Sequence, residues 1–168
     1  MHESSMNLMR NFVGNFLDLK KELKIVDIGS LDINGSYKTL FENENWEYVG
    51  LDIEEGKNVN IVLENENELP FDNDSIDVVI SGQAFEHMEF PWIVIKEVSR
   101  ILKPNGLACI IAPSSGPYHA YPRDCWRFIP DGMKVLGKYA NLTILEMGGA
   151  CGTWNDVSMI AKKEGNED

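Results

Sequence analysis

Lys24-Ile25-Val26-Asp27-Ile28-Gly29-Ser30 is an apolar strand that ends in an acid and then a glycine. The carboxyl ends of such strands form the ligand-binding edge of open α/β sheets. About twenty residues later a second apolar run, Trp46 to Asp52, also ends in an acid. An acid at the tip of the second strand is placed to accept hydrogen bonds from both hydroxyls of a ribose. Together the two segments predict a site for a nucleoside-bearing cofactor.

Strands and helices alternate along the rest of the chain. Hydrophobic periodicity and turn residues predict strands over 24–28, 48–51, 59–63, 75–81, 107–112, 142–147 and 156–161. They predict helices over 7–23, 37–42, 91–102 and 131–140. We therefore expect an α/β fold with a doubly wound, mostly parallel seven-stranded sheet in a single three-layer α/β/α domain. Residues 1–23 would form an amino-terminal helix, 24–162 the core and 163–168 a polar tail.

The composition excludes several classes of protein. With 15 basic and 27 acidic side chains, the chain carries a formal net charge of −12. This charge would repel nucleic acid, which proteins bind mainly through lysine and arginine. No apolar run is long enough to cross a bilayer, and the amino terminus lacks the basic and apolar segments of a secretory signal. We expect a cytoplasmic protein whose partner is neither nucleic acid nor a membrane.

The three cysteines, Cys109, Cys125 and Cys151, stand singly in the sequence. Their odd number does not fit a disulfide framework, and their separation does not fit the paired spacing of a zinc site. The sequence thus predicts reduced thiols and no bound metal. A monomer and a homodimer are both compatible with it.

Six segments follow one another in a characteristic order and spacing along the chain: Val26-Asp27-Ile28-Gly29, Gly50-Leu51-Asp52, Leu69-Pro70-Phe71, Ser75-Ile76-Asp77-Val78-Val79, Phe85-Glu86-His87 and Val98-Ser99-Arg100-Ile101-Leu102-Lys103-Pro104-Asn105-Gly106. In these segments the chain resembles the class I S-adenosylmethionine-dependent methyltransferases, and within them the type-11 methyltransferase domain. The resemblance covers about residues 24–162. It implies a Rossmann-like methyltransferase fold and S-adenosylmethionine as cofactor, with S-adenosylhomocysteine as product.

The resemblance also implies which residues meet the cofactor. Asp27, Gly29 and Ser30 would line the site of its methionine portion, because a glycine lets the backbone approach closely and a carboxylate attracts the α-ammonium group. Asp52 would hold the ribose hydroxyls, with Ile53 beside the adenine.

Two further segments complete the predicted cofactor site. Asn65 and Glu66 occupy the place that meets the adenine amino group in the family, and an asparagine oxygen can accept that bond. Ser81, Gly82 and Gln83 lie at the tip of the fourth predicted strand, at the same edge of the sheet, where a plain turn is the alternative interpretation.

The loop after the first strand departs from the family pattern, which is closer to Gly-x-Gly-x-Gly. This chain has Gly29-Ser30-Leu31-Asp32-Ile33-Asn34-Gly35, without the second glycine. Either the loop takes another route and still binds the cofactor, or binding has been lost and a non-catalytic binding or scaffold domain remains. An NAD(P)-dependent oxidoreductase is a weaker alternative, because the chain lacks Gly-x-Gly-x-x-Gly.

Methyl transfer from a sulfonium is an in-line displacement that depends mainly on alignment in a site cleared of water. An acceptor with a hydroxyl or ammonium nucleophile must also lose a proton, and His87 and His119 are the candidate catalytic bases. A histidine at a helix start that bonds only to backbone is the alternative for His87.

The segment 113–130 is rich in aromatic and charged residues and predicts the acceptor pocket. Its candidate substrate-binding residues are Tyr118, His119, Tyr121, Asp124 and Arg127. Arg127 would bind an anionic acceptor or pair with Asp124 or Asp131. Trp126 and Phe128 are expected to pack in the core. Because the sequence holds no inserted recognition domain, we expect a small-molecule acceptor.

Overall fold

A computed structural model of the protein describes residues 3–165. Seven strands and three helices make up its regular structure. The strands are β1 (Leu23–Ile28), β2 (Trp46–Asp52), β3 (Ile61–Val62), β4 (Ile76–Gly82), β5 (Leu102–Pro113), β6 (Leu142–Ala150) and β7 (Asp156–Lys163). The helices are α1 (Glu3–Phe16), α2 (Pro91–Ile101) and α3 (Pro130–Tyr139). Short 3-10 turns lie at Lys38–Phe41 and Phe85–His87.

All seven strands belong to one sheet in the order β3-β2-β1-β4-β5-β7-β6. The pairs from β3 to β5 are parallel, whereas β7 runs antiparallel to both of its neighbours. The predicted doubly wound, mostly parallel sheet is therefore confirmed. Chain order reverses between β1 and β4, and in such sheets the crevice for ligands opens at that point, beyond the carboxyl ends of the strands.

Helices cover both faces of the sheet and divide the core in two. On one face α2 buries Val94, Ile95, Val98 and Ile101, a spacing of three and four residues that aligns them along one side of a helix. α3 packs on the same face through Met133 and Leu136. On the other face the core contains residues of α1, of the turn Lys38–Phe41 and of the central strands.

Several predicted boundaries are wrong. The helix expected over 7–23 is α1, which ends at Phe16 because Asp18 accepts a hydrogen bond from the amide of Lys20 and turns the chain. The helix expected over 37–42 is only a 3-10 turn. Lys163, assigned to the polar tail, belongs to β7. Residues 1 and 2 of the predicted helix and residues 166–168 of the predicted tail lie outside the described residues.

None of the helices within residues 3–165 has the length and apolarity needed to cross a membrane.

Candidate active site

A cavity of about 440 Å³ opens at the carboxyl ends of β1, β2 and β4, within the usual size range of small-molecule sites. Its wall comes from the loops after these strands and from the segment between β5 and α3. The lining residues are Ile28, Gly29, Leu31, Ile33, Asn34, Gly35, Asp52, Ile53, Glu54, Leu63, Glu66, Gly82, Gln83, Ala84, Glu86, His87, Met88, His119, Tyr121, Pro122, Arg123 and Trp154. The cavity therefore joins the predicted cofactor edge to part of the predicted acceptor segment.

The loop after β1 frames the cavity without its second glycine. Gly29 has φ +79°, and a Cβ added there would lie 2.3 Å from the Cβ of Ala84, so the position requires glycine for both backbone and space. Asp32 holds the rest of the loop: its carboxylate accepts hydrogen bonds from the amide of Gly35 and from Lys57 Nζ. Held in this way, the loop forms part of the cavity wall.

Asp52 lies on the cavity wall at the tip of β2, as the sequence predicts. The amide of Leu31 donates to its Oδ2 at 3.0 Å and the amide of Ile53 donates to its Oδ1 at 2.8 Å. These contacts fix the carboxylate in one orientation. The amide of Glu54 also donates to Oδ1, at 3.2 Å, so Oδ2 is the oxygen that keeps a lone pair for a further hydrogen bond.

Asp27 lies at the end of β1 but does not line the cavity. Its side chain is 2% exposed, the hydroxyl of Tyr48 donates to Oδ2 at 2.5 Å, and Oδ1 has no hydrogen-bond partner. Burial raises the pKa of this carboxyl to about 7, against the lowering effect of the Tyr48 hydrogen bond and with a smaller raising effect from Asp52. At neutral pH the Asp27 carboxyl is therefore present in both its neutral and its charged form.

Three other predicted cofactor residues also lie off the cavity wall, where their side chains support the backbone. Ser30 Oγ donates to the carbonyl of Asn58, and Ser81 Oγ donates to the carbonyl of Ile28. Asn65 Oδ1 accepts a hydrogen bond from the amide of Asn67. These residues were predicted to contact the cofactor because they lie near the ends of strands. Position alone does not show that their side chains are already bound to neighbouring backbone groups.

Ile53, Glu66, Gly82 and Gln83 do line the cavity. A Cβ added at Gly82 would lie 2.2 Å from the ring of Tyr37, so no larger residue fits there. Gln83 has φ +60°, a conformation that costs a residue with a side chain about 1–3 kcal/mol. Its Nε2 donates to Asp156 Oδ1 at 3.0 Å, which anchors the strained residue to β7.

Glu86, His87 and His119 meet on the cavity wall. Glu86 Oε1 lies 3.7 Å from His87 Nε2 and 3.9 Å from His119 Nε2. The two imidazole rings are in edge contact, with their centroids 4.9 Å apart. The two predicted catalytic histidines are therefore brought together, although they are distant in sequence.

Glu86 is the functional candidate that the sequence analysis missed. It is fully buried, and within residues 3–165 neither of its carboxylate oxygens receives a hydrogen bond from another residue. Burial is the main cause that raises its pKa, to about 8, while Arg127 acts in the opposite direction. Burial also lowers the pKa of His87. A charged residue type within the otherwise apolar Ala84-Phe85-Glu86 run was the available signal.

Arg127 pairs with Asp124, which decides between the alternatives left open by the sequence. Its two terminal nitrogens contact both oxygens of Asp124, at 2.6 and 2.9 Å. This pairing is the main reason that the pKa of Asp124 lies well below its usual range. Neither residue lines the cavity; instead Asp124 also accepts a hydrogen bond from the amide of His119 and positions that residue.

Some of the remaining residues predicted for the acceptor segment lie where they were expected and others do not. Tyr121 lines the cavity, whereas Tyr118 is 79% exposed and does not. Phe128 is buried in the core as expected. The core position expected for Trp126 is wrong: its ring is 40% exposed and packs against Trp92, while Nε1 donates to the carbonyl of Met88. An indole N–H can be satisfied at a surface in this way.

Two cavity residues were not singled out from the sequence. Arg123 donates to Glu66 at 2.5 Å and to Glu89 at 2.8 Å, so it joins the segment between β5 and α3 to the segment after β3. Trp154 packs against the ring of His119, with centroids 4.5 Å apart. Both residues make contacts between segments that are remote in sequence. A pattern of neighbouring residues in the sequence cannot predict such contacts.

Comparison with known proteins identifies the family of the domain. A sequence profile described as a methyltransferase domain matches residues 26–110. An uncharacterised methyltransferase of Mycobacterium marinum is 40% identical over 73 residues, which are 43% of this chain and 28% of the relative. The chain thus spans less than a third of the curated relatives that it matches.

Solved structures share the fold at low sequence identity. A 1,6-didemethyltoxoflavin-N1-methyltransferase of Burkholderia thailandensis, solved with its substrate and S-adenosylhomocysteine, aligns over 96% of this chain and 79% of its own, with a TM-score of 0.76 and 17% identity. A SAM-dependent methyltransferase from Aquifex aeolicus aligns over 92% and 89%, with a TM-score of 0.69 and 17% identity. These matches establish the Rossmann-like methyltransferase architecture. With the profile covering half of its length, the chain belongs to the methyltransferase domain family, type 11.

Proposed function

We propose that the protein transfers a methyl group from S-adenosylmethionine to an oxygen or nitrogen nucleophile of a small molecule. The observation that carries this proposal is the single cavity with two unlike ends. One end has a fixed carboxylate and apolar side chains at strand tips, and the other has two imidazoles and a buried acid. Such an arrangement suits a nucleoside cofactor at one end and a polar acceptor at the other.

The residues at the first end fit the adenosyl group. Asp52 Oδ2 presents a free lone pair to the ribose hydroxyls, and Ile53, Leu63 and Met88 supply apolar wall for an adenine. The buried Oδ1 of Asp27 lacks a hydrogen-bond partner among the described residues and lies off the cavity wall, so it would attract an ammonium group in the cavity through water. S-adenosylmethionine would supply a methyl group already activated on a sulfonium.

At the other end this chain's residues would bind the acceptor and take its proton. His87 and His119 direct their Nε2 atoms toward the same volume as the Glu86 carboxylate, and imidazole is the commonest general base. Tyr121 and Trp154 add aromatic wall beside them. The cavity volume of about 440 Å³ favours an acceptor of metabolite size over a folded macromolecule.

A cytoplasmic location is part of the same proposal. Cys109, Cys125 and Cys151 are all free thiols, and the last two are exposed. Exposed free thiols persist in reducing compartments.

Calorimetric titration with S-adenosylmethionine and S-adenosylhomocysteine tests the cofactor. We expect saturable binding of one equivalent of each. Absence of heat at millimolar ligand would instead support a non-catalytic scaffold domain, and binding of NADH in their place would support the oxidoreductase alternative.

Substituting Asp52 tests the ribose site. Asp52→Ala should weaken binding of S-adenosylhomocysteine by about tenfold or more, because it removes charge-assisted hydrogen bonds worth over about 1.4 kcal/mol. Since Asp52 also orients the amides of Leu31 and Ile53, the titration is repeated with the 2′-deoxy analogue of the ligand. The natural protein should discriminate against the analogue, and Asp52→Ala should bind both ligands equally.

The matched control is Glu55→Gln, which removes an exposed acid that is not on the cavity wall. Its affinity should equal that of the natural protein. Discrimination against the deoxy analogue that persists in Asp52→Ala would exclude Asp52 as the ribose acceptor.

A further inference from the structure

We propose that Glu86, His87 and His119 form a site for a first-row divalent metal ion at the acceptor end of the cavity. One potential ligand atom from each residue lies within 4.8 Å of the other two. All three residues line the cavity, so a bound ion would be open to ligands on that side. The hydrogen bonds around the three side chains determine which of their atoms have a lone pair available for an ion.

His87 directs a lone pair toward Glu86. Its Nδ1 lies 2.5 Å from the carbonyl oxygen of Arg123. A carbonyl only accepts hydrogen bonds, so Nδ1 carries the proton and Nε2 is left with a lone pair. A histidine whose second nitrogen donates to a backbone carbonyl is in the usual arrangement of a metal ligand.

His119 has the same tautomer. Its Nδ1 lies 3.2 Å from the carbonyl of Pro117 and 3.4 Å from Asp124 Oδ2, and both of these oxygens are acceptors. Arg127 Nη2 also lies 3.4 Å from Nδ1, but its two N–H groups already donate to Asp124 Oδ2 and to the carbonyl of Pro117, each at 2.9 Å. The proton of His119 therefore sits on Nδ1, and its Nε2 lone pair points toward Glu86 Oε1.

With Glu86 deprotonated, as a metal ligand must be, three acceptors face one another with no donor between them among the described residues. Glu86 is fully buried and receives no hydrogen bond from another residue, and the 3.7 and 3.9 Å separations are too long for hydrogen bonds from a protonated carboxyl to the imidazoles. A buried acid without a partner is costly, and a cation satisfies all three groups at once.

The two separations from Glu86 suit a metal ion, and the third, between the two histidine nitrogens, lies within 4.8 Å. Zinc-type ions hold nitrogen and oxygen ligands at about 2.0–2.2 Å, which places neighbouring ligand atoms about 3.0–3.5 Å apart. The observed separations from Glu86 Oε1 exceed this range by only a few tenths of an ångström, which small side-chain rotations supply. Trp154 packs on one side of the His119 ring and limits its movement.

Neighbouring positive charges are neutralised. Arg127 is paired with Asp124, and Arg123 is paired with Glu66 and Glu89. The carboxylate of Glu86 is therefore the charge that the ion would meet.

Two imidazoles and one carboxylate suit Mn²⁺, Fe²⁺, Co²⁺, Ni²⁺ or Zn²⁺ better than Mg²⁺ or Ca²⁺, which prefer oxygen ligands throughout. The remaining coordination positions would take an oxygen or nitrogen atom of the acceptor. This last role depends on the proposed function, whereas metal binding itself does not. With an ion bound, the two histidines serve as ligands and not as bases.

The test is calorimetric titration of the chelator-treated full chain with Mn²⁺, Co²⁺ and Zn²⁺, without cofactor or acceptor. We expect one equivalent to bind. Glu86→Gln and His119→Gln should each weaken binding by about 100-fold, and Asp124→Asn, which alters the support of His119, by about tenfold. Glu55→Gln and Cys151→Ser, which change an exposed acid and an exposed thiol, should leave the affinity unchanged.

A second measurement needs no variant: Mn²⁺ should selectively broaden the ring resonances of His87 and His119 in the natural protein. Absence of binding by millimolar Mn²⁺, Co²⁺ and Zn²⁺, or equal affinity in Glu86→Gln, would overturn the metal site. Loss of binding in Cys151→Ser would also overturn it. Binding of S-adenosylhomocysteine is measured separately, so failure of the metal site and failure of the proposed function are distinguishable.

Discussion

Asp27→Asn should remove a pH dependence of stability that amounts to about 4 kcal/mol. Burial raises the pKa of Asp27 from 3.8 to about 7 in the folded protein. Between these values the folded state keeps a proton that the unfolded state has released. The stability contribution of the neutral carboxyl is therefore complete below pH 3.8 and is lost as the pH rises toward 7.

Denaturant unfolding of both proteins from pH 4 to pH 8 measures this effect. The difference in free energy of unfolding between Asp27→Asn and the natural protein should grow in favour of the variant by up to about 4 kcal/mol as the pH rises, at about 1.4 kcal/mol per unit of pKa shift. Other titrating groups are common to both proteins and cancel in the difference.

Tyr48→Phe provides a control for the cause. The Tyr48 hydrogen bond lowers the pKa of Asp27, so its removal should move the carboxyl titration, followed by NMR, to higher pH. The free energies of unfolding of Asp27→Asn and of the natural protein are then compared from pH 4 to pH 8. A constant difference between them over this range would show that Asp27 ionises normally in the fold.

Gly29→Ala should destabilise the protein by about 3 kcal/mol, as the sum of backbone strain and overpacking. An L-residue at φ +79° is strained, and the added Cβ would meet the Cβ of Ala84 at 2.3 Å. Ala84 lies in the loop after β4, and its side chain is a single methyl group. It therefore cannot relieve the contact by changing rotamer, and the backbone would have to move. The same change should reduce binding of S-adenosylhomocysteine, since both residues line the cavity.

Gly14→Ala is the matched control, because it adds the same methyl group inside α1 where nothing lies within 4 Å. It should stabilise the protein by about 0.5–1 kcal/mol, as expected for glycine replaced in a helix. Thermal or denaturant unfolding of the two variants should therefore give shifts of opposite sign. Equal effects of the two substitutions would mean that the loop after β1 does not need glycine.

The sheet was predictable because its signals are local. Apolar runs that end in Asp27 and Asp52, and the regular spacing of Val94, Ile95, Val98 and Ile101, depend on neighbours in sequence. The extent of α1 was not predictable, because the side chain of Asp18 competes with helix continuation.

The acceptor end was less predictable because its contacts join distant segments. Glu86 lies between β4 and α2, and its burial depends on the segment between β5 and α3: the amides of Cys125 and Trp126 both donate to its carbonyl. Arg127 could have reached Asp124 or Asp131 by spacing alone, and the fold decides for Asp124 because Asp131 lies in the first turn of α3 beside Lys134. Residue type indicated an active-site segment, but not which of its side chains face the cavity.

The central claim is that the cavity beyond β1, β2 and β4 binds the adenosyl group of S-adenosylmethionine. A crystal structure with S-adenosylhomocysteine tests it most directly. We predict that the ribose hydroxyls contact the carboxylate of Asp52, with the adenine against Ile53 and Leu63 and the homocysteine sulfur toward His87 and His119. A nucleoside bound at another edge of the sheet, or a cavity closed by protein side chains at saturating ligand, would contradict it.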